Sequence, residues 1–187
     1  MKKLLPILAV TLATFGTAFA TSSPVMADDA SKPQAPQLKF NGRYRVVSAK
    51  KAQAAIKVAI DKTVSEMFFI KRPFARSRLT DTNPVLVAMN FKFTGKKMHY
   101  LYNGNKLIDS TLDAPFHKWK SPTDGKTYQI KETIKGGVLI QTIKGSEGTK
   151  VERFKLSKDG KTLTYSVKVT SSQLPKPLRY HYNMRRR

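Results

Sequence analysis

The chain has 187 residues, with 35 lysines and arginines against 12 aspartates and glutamates, a formal net charge of +23, and no cysteine. That length fills one domain well, and the missing cysteine excludes a disulfide framework, a cysteine nucleophile and a lipid-modified cysteine. The cationic excess favours encounters with phospholipid or lipopolysaccharide headgroups, nucleic acid or acidic ligands, or it serves solubility alone.

Lys2 and Lys3 precede an apolar, small-residue stretch from Leu4 to Phe19, and Ala18-Phe19-Ala20 and Val25-Met26-Ala27 are small-x-small cleavage sites. Residues 1–27 are therefore expected to be a signal peptide, with Ala20 as the alternative cleavage point, and the product is expected to be periplasmic or secreted. Residues 28–37 hold two prolines and no large apolar side chain, which predicts a disordered leader before a domain over 38–187.

Leu38 to Val47 reads as the first strand, with Leu38, Phe40, Tyr44 and Val46 on one face and Gly42 interrupting it. Ser48 is a suitable N-cap for one amphipathic helix over 50–71. Ile56, Ile60, Val64, Met67 and Phe68 form its apolar stripe, which predicts packing rather than membrane insertion. Pro73 is expected to end or kink this helix, with a short helical turn over 74–79. Strands resume at Val85, where Val85, Val87, Met89, Phe91 and Phe93 alternate with more polar neighbours, and Thr94-Gly95-Lys96 leads to Met98, Tyr100 and Tyr102. Asn103-Gly104 predicts a tight hairpin, a weaker strand follows over 106–111, and 113–125 reads as a loose connection.

From Lys126 to Met184 five alternating segments are punctuated by Gly136-Gly137, Gly145-Ser146-Glu147-Gly148 and Asp159-Gly160. Such turns need positive φ and join antiparallel strands. The whole predicts a mainly β fold, a single antiparallel up-and-down barrel of about eight to ten strands with one helix inserted after the first.

Phe40-Asn41-Gly42-Arg43-Tyr44 is similar to the F-x-G-x-W opening of fatty-acid-binding proteins, and Gly42-Arg43-Tyr44 to the G-x-W of lipocalins. The order of elements over residues 38–186 resembles the same calycin group, as does the turn spacing Asp124-Gly125, Gly136-Gly137 and Asp159-Gly160. The resemblance implies a barrel of ten strands closed by a helical lid around a small ligand. Fatty-acid-binding proteins end in an R-x-Y pair that grips a carboxylate. Here Tyr182 stands at the tyrosine position and Tyr180 replaces the arginine, so that grip is not carried over.

Catalytic signatures are missing. The histidines His99, His117 and His181 lie far apart without a second ligand at metal spacing, and there is no G-x-S-x-G and no phosphate-cradling glycine loop. No enzyme activity, cofactor or metal is expected. Glu132 and Glu152 alternate in phase with apolar neighbours. They suggest either an inward polar cluster beside Arg43 or Arg153, or, as the preferred reading, an exposed face of charge pairs. Aromatic and basic residues interleave at Phe91-Lys92-Phe93 and Arg179-Tyr180-His181-Tyr182, but alternation puts the two kinds on opposite faces, so nucleic acid is not an expected partner.

These readings converge on a monomeric carrier for a small apolar or amphipathic, lipid-like ligand. Phe40, Tyr44, Met89, Phe91, Tyr100, Tyr165, Tyr180 and Tyr182 are the expected ligand-binding wall. Its basic exterior would draw it to anionic membrane surfaces. The alternative is a basic protein whose barrel is filled by its own side chains and whose surface binds a polyanion, an anionic membrane or a protein partner.

Overall fold

The computed structural model describes residues 35–104, 106–122 and 124–187. The expected signal peptide and most of the expected leader lie outside the described residues. A 3-10 turn over Pro36–Phe40 opens the described chain, and ten strands follow: β1 Gly42–Val46, β2 Ala88–Thr94, β3 Lys97–Tyr102, β4 Lys106–Thr111, β5 His117–Lys120, β6 Thr127–Lys135, β7 Val138–Gly145, β8 Gly148–Leu156, β9 Thr162–Thr170 and β10 Leu178–Arg186. Every paired neighbour is antiparallel, and β1 joins β10, giving the order β4-β3-β2-β1-β10-β9-β8-β7-β6-β5 in a nearly closed barrel. The two ends of this order, β4 and β5, share no ladder; Asp113 N–H donates to Glu132 O at 2.8 Å near that seam. The antiparallel up-and-down barrel with a helical insertion after the first strand is thus the fold.

The first strand is shorter than expected. Pro36 sits in the first turn of a 3-10 helix and extended pairing starts only at Gly42, whose φ is +137°. Phe40 and Tyr44 still face the interior together, and the Tyr44 hydroxyl donates to Phe40 O at 2.9 Å.

The insertion is a pair of helices, α1 Ala49–Val64 and α2 Arg72–Thr82, where one was expected over 50–71. Ser48 Oγ accepts from Lys51 N–H at 3.3 Å and caps α1 as expected. At the other end the Ser65 hydroxyl donates to Lys62 O and α1 stops. Pro73 then falls in the first turn of α2, where its missing N–H is no loss, so it opens a helix instead of ending one. Ile56, Ile60 and Val64 are buried as the stripe predicted, but Phe68 lies beyond the end of α1 and is exposed.

The connection expected over 113–125 contains the four-residue strand β5, where Trp119 pairs Tyr128. Its alternation is too short to stand out in sequence. Upstream of Met89 the inward phase slips: Leu86 is buried and Val87 exposed, and regular pairing of β2 begins at Ala88. Asn103 (φ +49°) and Gly104 (φ +92°) make the predicted hairpin turn. Gly148 answers a different need, because a Cβ there would sit 2.2 Å from Thr170 O on the neighbouring strand.

Candidate ligand-binding cavity

Period-two alternation carries aromatic rings inward from strands all round the barrel. They form one connected network: Phe91 stacks on Tyr100 (4.6 Å), Phe154 meets Phe91 (5.2 Å) and Tyr165 (5.3 Å), and Tyr165 meets Tyr182 (5.2 Å), which stacks with Tyr180. Phe40 and Tyr44 join it edge-on to Phe91. All eight residues expected to form the ligand wall are buried in the interior, and all but Met89 belong to this network.

Beside the network, under α2, is a cavity of about 700 Å3. Of the eight expected wall residues Tyr100 lines it; the other seven pack behind it. Its apolar lining comes from Leu79 of α2, Leu86, Ile108 of β4, Trp119 of β5, Ile143 of β7 and Val169 of β9. At its mouth Arg78 of α2 forms an ion pair with Glu147 in the β7–β8 turn, joining the lid to the barrel rim.

The polar part of the lining was only half legible. Glu132 and Glu152 are buried, at 1% and 4% exposure, so the preferred expectation of an exposed, charge-paired face is corrected. Arg43 and Arg153, their expected partners, point outward. In their place Lys150, two residues before Glu152 and on the same face of β8, sets its ammonium 2.9 Å from Glu152 Oε1, to which the Tyr165 hydroxyl also donates at 2.8 Å. Gln141 of β7 stands directly between Glu132 and Glu152 in the ladder, and its Nε2 donates to Glu132 Oε1 at 3.0 Å. Gln141 and Lys150 were missed, although both alternate in phase with buried neighbours, Gln141 with Leu139 and Lys150 with Glu152.

Burial pushes the Glu132 carboxyl above its ordinary range, against the easing effect of Ser110, Gln141 and His117. Desolvation, reinforced by the Glu152 carboxylate, raises the Tyr100 and Tyr165 phenols well above theirs, so both stay protonated donors at neutral pH. At the rim, burial and then the Asp124 carboxylate, which accepts the Tyr128 hydroxyl proton at 2.6 Å, push Tyr128 up to about 12.

Tyr180 and Tyr182 are committed elsewhere. Tyr182 Oη accepts from Leu86 N–H at 2.9 Å, and the Tyr180 hydroxyl donates to Asn83 Oδ1 at 3.2 Å. Both phenols hold the segment that leaves α2. Among the described residues no group of three His, Cys, Asp or Glu gathers to hold a metal ion, and no helix is long and apolar enough to cross a membrane.

No family model matches the chain, and no curated protein matches it. Among solved structures it is similar to the REP1-NXSQ fatty acid transporter Y128F mutant, at TM-score 0.51 and 14% identity over 80% of this chain and 99% of that one. Fatty-acid-binding protein 1 of Echinococcus granulosus matches at TM-score 0.51 and 11% identity, over 80% of this chain and 98% of that one. At such identity the likeness establishes the fold: this chain has the barrel architecture of fatty-acid-binding proteins.

Proposed function

We propose that the protein is an exported, monomeric, non-enzymatic carrier that holds one small apolar or amphipathic molecule inside its barrel. The observation that carries this reading is the cavity beneath α2. Its size falls in the range of about 300–1,000 Å3 typical of small-molecule sites, and a mostly apolar wall surrounds a few buried polar groups. Ligand area removed from water supplies the affinity, at about 25 cal/mol per Å2 before ordering costs. Tyr100 touches the ligand, while Phe40, Tyr44, Met89, Phe91, Tyr165, Tyr180 and Tyr182 form the rigid wall that keeps the cavity open. The likeness to proteins named for fatty-acid transport and binding supports a lipid-like cargo.

An anionic membrane is the proposed place of loading and release. The α1–α2 connection exposes Phe68, Phe69 and Ile70, and the first turn of α2 exposes Phe74, at 76%, next to the exposed cation Lys71. Apolar tips beside positive charge suit an anionic bilayer. Residues 1–27 supply export in this reading.

Native mass spectrometry of the protein purified from its own cells, before and after organic extraction, tests the carrier. A bound apolar mass lost on extraction supports it, and a chain mass beginning at Asp28 supports export with it. A clean apo mass that still binds no added lipid analogue would instead favour the basic-surface alternative, with the cationic exterior meeting a polyanion.

A further inference from the structure

Two buried polar atoms of the cavity wall have no hydrogen-bond partner among the described residues: Gln141 Oε1 and the Tyr100 hydroxyl. Each side chain is 1% exposed, and native interiors rarely leave such groups unpaired. Neither can turn away to find a partner. The Gln141 amide is oriented by its Nε2 bond to Glu132 Oε1. The Tyr100 ring is clamped by stacking on Phe91, by the edge of Phe154 at 5.7 Å and by Tyr102 at 5.4 Å.

Their chemistry is complementary. Gln141 Oε1 only accepts, and the protonated Tyr100 phenol can donate. A group that satisfies both must itself donate and accept, as a hydroxyl does. A carboxylate only accepts, so it would leave Gln141 Oε1 facing another oxygen beside Glu152. The Lys150 ammonium, next to Glu152 on that wall, is already paired with it. A ligand ammonium would donate to Gln141 but must bury a charge that no free carboxylate beside Gln141 offsets, since Glu152 is taken by Lys150 and Tyr165 and Glu132 already accepts from Gln141.

Resting on the carrier reading, we infer that the cavity selects a neutral, hydroxyl-headed amphiphile, such as a long-chain alcohol or a monoacyl polyol. Its hydroxyl donates to Gln141 Oε1 and accepts from the Tyr100 phenol.

Displacement of a fluorescent lipid probe from the delipidated protein by dodecanol, dodecanoate and dodecylamine at neutral pH tests this. Dodecanol is expected to compete at least about tenfold more strongly than the other two, the step that one buried hydrogen bond supplies. Tyr100→Phe deletes a hydroxyl that bonds nothing in the fold, so it is expected to fold normally and to lose about tenfold in dodecanol affinity. Dodecanoate or dodecylamine binding as tightly as dodecanol, or an unchanged dodecanol affinity in Tyr100→Phe, overturns the headgroup selection and leaves the carrier standing. Displacement by none of the three overturns both. If Tyr100→Phe does not fold, the ranking on the unmodified protein decides alone.

Discussion

The Tyr182 hydroxyl accepts the backbone N–H of Leu86 at 2.9 Å, tying the last strand to the segment that carries the chain from α2 into β2. Its neighbour on the same face, Tyr180, reaches Asn83 at the end of α2. The pair at the site where resemblance to fatty-acid-binding proteins placed a carboxylate grip thus anchors the lid. Tyr182→Phe keeps the ring and strands a buried N–H, so it is expected to cost about 1–3 kcal/mol of stability. Urea denaturation monitored by circular dichroism measures this, and an unchanged midpoint would show that the bond is not needed.

Glu132 makes stability depend on pH. Its carboxyl is raised by burial in the folded state, so its contribution is full below the unfolded value of about 4.3 and is lost as pH rises through the folded value. Glu132→Gln keeps an acceptor for Gln141 and removes the charge. The variant is expected to melt higher than the parent near neutral pH, with the difference vanishing toward pH about 4. Equal gains at both pH values would contradict the assignment.

Gly148 sets the approach of β8 to the end of β9. Alanine there would drive a methyl group into Thr170 O, which is backbone and has no flexible end to move. Gly148→Ala is expected to cost about 1–3 kcal/mol, the range for overpacking. Thermal melting gives the answer, and because Thr149 and Lys150 follow directly, ligand affinity is expected to fall with it.

Arg78 and Glu147 are each about half exposed, at 50% and 49%, and span the mouth between α2 and the β7–β8 turn. Breaking such a pair changes global stability by less than about 1 kcal/mol. Its effect is expected on the lid instead: Arg78→Ala should speed ligand entry, by up to about fivefold for a contact of that strength. Raising salt should speed entry into the parent and not into the variant. Stopped-flow mixing with a fluorescent lipid analogue reads both. Identical salt responses would mean that the pair does not hold the mouth.

Much of this molecule could be read from its chain. Alternation at Met98 and Tyr100, Leu163 to Val169 and Leu178 to Met184, with Asn-Gly and Gly-Gly turns between runs, determined an antiparallel barrel and which side chains face inward. Period two and positive φ are local properties, and every strand carries them in its own residues. Ser48 announced its helix for the same reason. Only the tertiary structure decided how the interior is divided. Phe91 and Tyr100 lie far from Phe154 in sequence, and their meeting depends on closing β1 onto β10 and curling the sheet until β3 faces β8. The same closure turned two carboxylates, read as an exposed charged face, into a buried wall. Whether an inward residue meets a ring, a lid or open space depends on what arrives from across the barrel, and no single strand holds that information.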